Sequence, residues 1–349
     1  MKKTAPGGFF MRKIKIAQIG MNKYSHGRDI FATMAAMPDL FQIVGYTFPE
    51  NEREVNSPDA LKKFENYREM TLEEILNDPE IEAVTVETEE IYLTKYAQMA
   101  ADAGKHIHME KPGGQDLRAF ERLIDTVRKS GKVFHTGYMY RYNPLIADAI
   151  ARAKSGELGH IYSVEAHMSR QDGKATREWF STFKGGMMFY LGCHLVDLVM
   201  QIQGVPDEVI PCNTVTGIDG VESEDFAFAV LKYPNATSVI RTGGTEVGGF
   251  GRRQLVICGE KGTIEIRPLE RILPNAETPY MMTSEMRESF LEADWHVRNE
   301  NTVAEPFDRY MKMMSSFAAM VRGEIENPYT LDYELSLYKQ IMKACGEDI

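Results

Sequence analysis

Short apolar segments alternate regularly with helical patterns over residues 13–138, and this alternation leaves few folds open to the chain. The apolar segments are Lys13–Gly20, Phe41–Thr47, Ala83–Thr88, Lys105–Met109 and Val133–Tyr138. Amphipathic segments such as Tyr92–Ala103 and Gln115–Ser130 separate them. Strands joined by helices in this order form βαβ units and a parallel sheet. We therefore predict an α/β, doubly wound parallel sheet of the Rossmann type over residues 13–138.

The pattern changes after residue 138, because most strand-like segments there follow one another without a crossover helix. These segments are Ile161–Met168, Glu208–Val215, Asp225–Tyr233, Ala236–Gly243, Arg253–Cys258 and Thr263–Arg267. The predicted helices are Pro144–Lys154, Met187–Gln203, Asp308–Arg322 and Leu331–Ala344. Strands linked by short turns form antiparallel sheets. We predict an α+β domain with an open, mainly antiparallel sheet over 139–349, a flexible leader over 1–12, and a loop or lid over 268–305.

Composition excludes several classes of function. The 349 residues carry 40 Lys and Arg against 51 Asp and Glu, a net charge of −11, which argues against nucleic acid as a partner. No apolar run approaches the ~18 residues that span a bilayer, so we expect no membrane partner. The four cysteines are widely spaced and form no CxxC pair. They indicate reduced thiols and a cytoplasmic protein.

The turn after the first strand matches a dinucleotide-binding fingerprint only in part. The fingerprint places glycines at positions 20, 22 and 25, and this chain has Gly20, Asn22 and Ser25 with Met21 in between. Asn22 tolerates left-handed backbone geometry and Ser25 is small. We take Gly20, Met21, Asn22 and Ser25 as candidate cofactor residues, although an ordinary βα turn fits the same segment.

The end of the second strand leaves the choice of cofactor open between NAD and NADP. Phe48 stands where a carboxylate would bind the ribose hydroxyls of NAD. Glu50 is placed to take that role from a shifted position, and Arg53 is placed to meet a 2′-phosphate.

The strand Lys105–Met109 is followed by Glu110 and Lys111, which are candidate site residues. Ligands of open parallel sheets bind beyond the carboxyl ends of the strands, and a lysine there can polarise a hydroxyl or carbonyl oxygen. A surface ion pair would fit the same residues. His106 and His108 share a strand face, but no other ligand stands at metal-binding spacing, so we predict core histidines and no metal.

A second cluster places Tyr190, His194 and Asp197 on one helix face, because they are separated by four and three residues. A phenol, an imidazole and a carboxylate together can bind and move protons. Gly192 interrupts this helix and indicates close packing against its backbone. A core helix with one satisfied histidine is the simpler interpretation of the cluster by itself.

Taken together, these segments resemble the Gfo/Idh/MocA family of NAD(P)-dependent oxidoreductases. The resemblance covers most of the chain and depends on the order and spacing of its motifs. These are Ala103–His106 leading to Glu110-Lys111-Pro112, Gly137–Pro144, Gly156–Ile161, Gly185-Gly186 with Gly192–Asp197, and Gly259–Ile264.

The resemblance implies a Rossmann domain, a C-terminal open-sheet domain and a substrate bound between them. It also implies that Lys111 and His194 are catalytic and that Thr88 lies beside the nicotinamide. Many family members have an aspartate at the position of Tyr190, which is a neutral phenol at physiological pH. We expect Tyr190 and Asp197 to orient the substrate or His194, and Arg141 to contact the cofactor or the substrate.

These observations predict an oxidoreductase that transfers a hydride between NAD or NADP and a secondary alcohol of a sugar, cyclitol or related polyol. Two alternatives remain: a relative that oxidises its substrate transiently during glycoside cleavage or epimerisation, and a sugar or nucleotide sensor without catalysis. An antiparallel sheet with one uncovered face further predicts a homo-oligomer, either a dimer or a tetramer.

Overall fold

The structure, a computed structural model, describes residues 12–274, 280–293 and 295–349. The predicted leader therefore lies outside the described residues except for Arg12. The chain forms two compact units. The first contains the chain up to Glu110 together with Asp125–His135 and Met314–Pro328. The second contains Lys111–Ile124, Thr136–Met313 and Tyr329–Ile349. The domain boundaries read from the sequence stay a prediction.

The first unit is built on a five-stranded sheet, which confirms the predicted Rossmann architecture. The elements up to its last strand are β1 (Ile14–Ile19), α1 (Gly27–Ala35), β2 (Phe41–Thr47), α2 (Glu52–Val55), α3 (Pro58–Leu61), α4 (Leu72–Asn77), β3 (Ala83–Val86), α5 (Leu93–Asp102), β4 (His106–Met109), α6 (Leu117–Ser130) and β5 (Phe134–Thr136). The strand order is β2-β1-β3-β4-β5, and β1 pairs in parallel with both β2 and β3. The carboxyl ends of these strands therefore share one edge, where ligands of such sheets bind.

The central strands of this sheet are apolar throughout because both of their faces are buried. Ile16, Ile19, Val84 and Val86 have no accessible surface. Parallel strands covered on both sides have such continuous apolar runs, whereas strands with one wet face alternate.

The second unit is built on an eight-stranded, mainly antiparallel sheet. Its elements, with α10 continuing into the first unit, are α7 (Pro144–Lys154), β6 (Ile161–Ser169), α8 (Lys174–Trp179), α9 (Cys193–Gln203), β7 (Glu208–Thr214), β8 (Phe226–Tyr233), β9 (Ala236–Gly243), β10 (Gln254–Gly259), β11 (Gly262–Ile266), β12 (Arg271–Ile272), β13 (Met281–Thr283), β14 (Glu285–Ala293), β15 (His296–Val303), β16 (Phe307–Asp308), α10 (Met311–Val321) and α11 (Leu331–Ala344). The strand order is β15-β14-β11-β10-β6-β9-β8-β7. The pair β6–β9 is parallel.

One face of this sheet forms the core of the second unit. Val164, Ala166 and Met168 on β6 and Leu255 and Ile257 on β10 are buried, whereas Glu165 and Val256 between them are exposed or only partly buried. Helix α9 packs on β6 and β9, and α11 packs on α9. The alternation therefore identifies a helix-covered face and an open face.

One local prediction was wrong, and a second is refined by the structure. The segment 268–305 was predicted to be loop or lid, but it contains β12 to β15, of which β14 and β15 form a long hairpin. The predicted single helix Met187–Gln203 begins with a π-helical turn at Met188–Gly192 and continues as α9. Such turns insert an extra residue into a helix and are frequent at functional sites.

The described residues include no helix with both the length and the apolar character needed to cross a bilayer. Cys193, Cys212, Cys258 and Cys345 are free thiols, as the wide spacing predicted. Cys193 and Cys345 are buried.

Candidate active site

Gly20 and Thr88, both predicted to bind the cofactor, lie against each other in the first unit. Gly20 has a φ of +91°, and a Cβ there would lie 2.5 Å from Cγ2 and 2.7 Å from the backbone nitrogen of Thr88. Only glycine fits a position with both a positive φ and so close an approach. The turn after β1 therefore passes directly over the end of β3.

Hydrogen bonds from its own side chains hold this turn. Oδ1 of Asn22 accepts a bond from the backbone N–H of Tyr24 at 2.7 Å. The hydroxyl of Ser25 lies 3.0 Å from the carbonyl oxygen of Asn22 and 3.2 Å from that of Glu87. The N–H of Met21 donates to a carboxylate oxygen of Glu52 at 2.8 Å. Asn22 and Ser25 therefore rigidify the turn in place of the missing glycines.

Gly27, which sequence reasoning missed, takes the packing role of the third fingerprint glycine. It opens α1, and a Cβ there would lie 2.8 Å from Cβ of Glu87 and 3.3 Å from Nε2 of Gln18. The signal in the sequence is a glycine two residues beyond the expected position. The fingerprint spacing is therefore lengthened but its close helix–strand contact is retained.

A cleft of about 260 Å³ lies beside this turn in the first unit. Its polar lining comes from the turn, from α1 and from the segment after β2. These residues are Asn22, Lys23, Ser25, Arg28, Asn56 and Ser57. The cleft thus combines two cationic side chains with amides and hydroxyls.

The two residues proposed from sequence to read the ribose have other partners. Glu50 accepts hydrogen bonds from Nζ of Lys95 and from the hydroxyl of Tyr96, each at 2.7 Å. Arg53 donates to Glu69, and its guanidinium lies over the ring of Phe48. Neither side chain lines the cleft.

Glu110 lies at the end of β4 and contacts the β1–α1 turn. Its Oε2 is 3.0 Å from Nδ1 of His26, the residue before α1, and its side chain is almost fully buried. This contact links the ends of β4 and β1, the edge where a cofactor of this fold binds.

Lys111 lies in the second unit, buried against the π-helical turn. Its Nζ donates a hydrogen bond to the carbonyl oxygen of Tyr190 at 2.9 Å and lies 4.7 Å from the centre of the Tyr190 ring. The ring itself contacts Trp179 and Phe180. The structure therefore brings two of the predicted catalytic residues, Lys111 and Tyr190, into direct contact.

His194 begins the second turn of the same helical segment and is enclosed by tyrosine rings. The rings of Tyr138 and Tyr140 meet the imidazole edge-on, with centroid distances of 5.6 and 5.2 Å. The hydroxyl of Tyr140 donates to Glu270 at 2.6 Å. Burial raises the pKa of Tyr140 to about 12 and that of Tyr138 well above its ordinary value, so both phenols stay neutral.

Asp197 and Arg141 form a buried ion-pair network within the second unit. The guanidinium donates to Asp197, to Glu334 and to the hydroxyl of Thr136. Asp197 also accepts hydrogen bonds from Gln201 and from Tyr333, both at 2.8 Å. Burial alone would lower the pKa of Arg141, but Asp197 and Glu334 hold this pKa well above its ordinary value.

This network fixes the helix that carries His194. Asp197 lies one turn after His194 on α9, and Arg141 ties it to the last helix through Glu334. The hydrogen bonds of Arg141 use all five of its N–H groups on protein acceptors. The predicted contact of Arg141 with cofactor or substrate stays a prediction, as do the catalytic roles of the other site residues.

The sequence missed most of the aromatic and acidic residues around the site. Tyr138 and Tyr140 stand in the motif Gly137–Pro144 that carried the resemblance, but nothing in the sequence linked them to His194. Glu270 and Glu334 are far along the chain, so only the fold brings them to Tyr140 and Arg141. Among the described residues, no group of three or more His, Cys, Asp and Glu side chains has the geometry of a metal site.

Comparison with protein-family models gives a match in both parts of the chain. Residues 14–138 match the oxidoreductase family described as having an NAD-binding Rossmann fold. Residues 146–265 match the GFO/IDH/MocA C-terminal domain.

Individual relatives are distant but extensive. An uncharacterised oxidoreductase, ORF334 of Rhizobium meliloti, is 24% identical over 76% of this chain and 78% of its own. The scyllo-inositol 2-dehydrogenase (NADP⁺) IolW of Bacillus subtilis is 24% identical over 69% of this chain and 66% of its own. The crystal structure of aldose-aldose oxidoreductase from Caulobacter crescentus, complexed with glycerol, superimposes with a TM-score of 0.76 at 20% identity, covering 96% of this chain and 98% of that one.

Proposed function

The chain belongs to the GFO/IDH/MocA family of oxidoreductases, and on that premise we propose that it oxidises a secondary alcohol of a sugar, cyclitol or related polyol with NAD or NADP. The observation that carries this proposal is the buried pair Lys111 and Tyr190, in direct contact in the second unit, with buried His194 one turn further along the same helical segment. A cation and an imidazole held in this way are the groups that dehydrogenation of an alcohol requires.

The β1–α1 turn fits the dinucleotide that this chemistry needs. Gly20 lets the turn pass over Thr88, and Gly27 brings the start of α1 close to Glu87. The positive end of the α1 dipole would favour a pyrophosphate at this turn. Met21, Asn22, Ser25, Thr88 and Glu110 would line this part of the cofactor site. The bound nicotinamide would accept or return the hydride.

Lys111 would bind the substrate oxygen through Nζ. Tyr190 anchors that ammonium by its backbone carbonyl at 2.9 Å, so the charge is fixed before substrate arrives. A fixed cation stabilises the negative charge that develops on oxygen as its proton leaves.

His194 would accept the hydroxyl proton during oxidation and return it during reduction. Imidazole is the side chain best suited to exchange a proton near neutral pH. The neutral rings of Tyr138 and Tyr140 exclude water from two of its sides, and the Asp197–Arg141 network holds its helix.

The polyol class is supported by the names of the relatives. One curated relative is a scyllo-inositol dehydrogenase, and another is a D-xylose 1-dehydrogenase of Haloferax volcanii. Both names describe the oxidation of a ring alcohol or hemiacetal. A screen of sugars and polyols would identify the particular compound that this chain oxidises.

The test is a spectrophotometric screen of polyols with NAD⁺ and NADP⁺, followed by two substitutions. Lys111→Met keeps the buried aliphatic volume but removes the ammonium, and His194→Gln keeps a polar side chain of similar size. Each is expected to reduce kcat by about 10²–10⁴-fold while nucleotide affinity stays within twofold.

Lys154→Ala, at the exposed end of α7, is the matched control and should leave kcat unchanged. Full turnover in Lys111→Met or His194→Gln would remove that residue from the mechanism. Absence of turnover with every polyol in the wild-type protein would contradict the proposed reaction. Product analysis that shows epimerised or cleaved sugar, with no net reduced nicotinamide, would favour the transient-oxidation alternative.

A further inference from the structure

The cleft beside the β1–α1 turn is electrostatically positive. Lys23 and Arg28 line it together with Asn22, Ser25, Asn56 and Ser57. No Asp or Glu is among the described residues that line it. Nε of Arg28 also donates to Asp29 on the same helix, at 3.2 Å, and the Arg28 side chain is half exposed. The lining therefore has several hydrogen-bond donors for an anion but no carboxylate that could accept hydrogen bonds from the two hydroxyls of a ribose.

Two carboxylates in the segment that follows β2, Glu50 and Glu52, have other partners. Glu52 points to the inside of the turn, where it accepts the N–H of Met21 and is only 3% exposed. Glu50 is bound by Lys95 and Tyr96. A free adenosine ribose presents two hydroxyls, which NAD-binding proteins of this fold bind with an acidic side chain after β2.

The position of the cleft identifies the part of the cofactor that reaches it. Its walls are the turn after β1 and the segment that follows β2, and these two strands are neighbours in the sheet. In a Rossmann sheet the pyrophosphate lies over the first turn, and the adenosine ribose lies next to it, toward the end of β2.

We propose that this cleft binds the 2′-phosphate of NADP(H), and that Arg28, Lys23 and Ser57 make the protein selective for NADP(H) over NAD(H). The inference rests on the proposed function, since it concerns the same nicotinamide cofactor. Arginine and lysine bind phosphate through strong hydrogen bonds between charged groups, and a neutral ribose hydroxyl forms only weaker ones. Ser57 adds a hydroxyl at the start of α3, where it already accepts the N–H of Ala60.

The pyrophosphate is the competing occupant, because it too is anionic and lies close by. NAD and NADP both contain the pyrophosphate, so removing protein contacts to it would lower the affinity for both cofactors equally. The 2′-phosphate belongs to NADP alone. The ratio of the two dissociation constants therefore distinguishes the two occupants.

The experiment measures dissociation constants by calorimetry for four nucleotides: NADP⁺, NAD⁺, 2′,5′-ADP and 5′-AMP. We expect NADP⁺ and 2′,5′-ADP to bind at least about tenfold more tightly than their counterparts without the 2′-phosphate. This preference should shrink as salt is raised, because the cationic residues are exposed.

Substitutions then assign the preference to residues. Arg28→Ala should lower NADP⁺ affinity by about tenfold and leave NAD⁺ affinity within twofold. Ser57→Asp keeps a good helix cap but places a carboxylate in the cleft, so it should weaken NADP⁺ and strengthen NAD⁺. Arg53→Ala is the matched control, since Arg53 lies outside the cleft and pairs with Glu69.

Equal binding of NAD⁺ and NADP⁺, or tighter binding of NAD⁺, would overturn the selectivity but leave the proposed dehydrogenase intact. An Arg28→Ala variant that weakens both nucleotides equally would overturn it in favour of the pyrophosphate. A loss of preference in Arg53→Ala would transfer the role to Arg53. Absence of binding by all four nucleotides would reject the proposed function together with this inference.

Discussion

Tyr190 holds Lys111 through its backbone carbonyl, which a change to the phenol leaves in place. Nζ of Lys111 donates to the carbonyl oxygen, while the ring packs against Trp179 and Phe180. The hydroxyl can therefore be removed without loosening the anchor of the lysine. This separation makes the phenol a clean probe of whether Tyr190 touches substrate.

We expect Tyr190→Phe to lower kcat/KM. The reduction should correspond to a loss of about 1–3 kcal/mol in transition-state stabilisation, the value of one hydrogen bond to a polar substrate group. The pH–rate profile should keep the same limits, because no charge is added or removed. The melting temperature should change little, since the ring contacts are retained. Tyr162→Phe, at an exposed strand position, is the control. Unaltered kinetics in Tyr190→Phe would restrict Tyr190 to packing.

Glu52 is a buried acid whose carboxyl group lies inside the β1–α1 turn. Burial raises the pKa of Glu52 from 4.5 to about 8, although the backbone N–H groups of Met21 and Glu89 oppose this shift. The folded protein therefore binds a proton at Glu52 that the unfolded chain releases above pH 4.5. Stability from this group is complete below pH 4.5 and declines as pH rises toward 8.

Glu52→Gln should abolish this decline, because the amide stays neutral and still accepts the N–H of Met21. The free energy of unfolding of the variant minus that of wild type should be near zero at pH 4 and rise to about 4–5 kcal/mol by pH 8–9. Half-buried His106 and buried His108, whose pKa values burial lowers to about 4, titrate in both proteins, so their contributions cancel. Urea unfolding from pH 4 to 9 measures the difference, with exposed Glu54→Gln as control. A difference that stays flat with pH would contradict the burial of a neutral Glu52.

At the scale of elements, the β1–α1 turn shows what a motif can and cannot predict. The strand and the first glycine are visible in the sequence, because Gly20 ends an apolar run. Gly27 is visible as a glycine two residues beyond the expected position, but its role is not, since the contact that requires it is made with Glu87 on a distant segment.

Gly20→Ala should be the most damaging single change in this turn. Its Cβ would meet Thr88 at 2.5 Å and force an alanine to a φ of +91°. Overpacking and backbone strain together should cost about 2–5 kcal/mol in the free energy of unfolding. Gly104→Ala also has a positive φ, but nothing lies within 4 Å of its Cβ. This control should lose only about 1 kcal/mol. Equal losses in the two variants, measured by chemical unfolding, would show that the contact with Thr88 contributes nothing.

Strands β14 and β15 were missed because their sequence carries little apolar alternation. Every residue of β15 is exposed, and the strand is defined by its backbone pairing with β14. The π-helical turn was missed because its sequence, Met188–Gly192, is equally compatible with an α-helix. The close packing predicted at Gly192 is confirmed: a Cβ there would lie 2.4 Å from Sδ of Met188.

For the whole molecule, the order of motifs was enough to predict the folds of both units. It did not predict that a late segment of the chain joins the first unit. Residues 314–328 come back to the first unit, where the ring of Phe317 stacks on His135 and Nδ2 of Asn327 donates to Phe134. The apolar pattern of α10 predicts that the helix is buried, but it does not predict which unit the helix packs into. Site residues contributed by such late segments, Glu334 among them, therefore escape motif reasoning.

The open face of the eight-stranded sheet supports the predicted self-association. Its paired strands align Val230, Val239 and Val256 in one row across the sheet, with Glu165 between the last two. These three valines are only partly buried. Apolar surface of this kind on a sheet face is typically covered by another subunit, and a stable interface needs roughly 800 Å² from each protomer.

We expect the protein to form dimers or tetramers through this face, and Val239→Lys to dissociate them. A lysine at the centre of the row would place an ammonium beside Glu165, and taking both charges out of water in the interface costs several kcal/mol. Light scattering during gel filtration should give wild type as a multiple of 39.6 kDa and the variant as a monomer at that mass. Val247→Lys, at a position that is 78% exposed, should leave the assembly intact, and the circular dichroism of both variants should match wild type. A monomeric wild type, or a Val239→Lys variant that keeps the wild-type mass, would show that the open face is not the contact between copies.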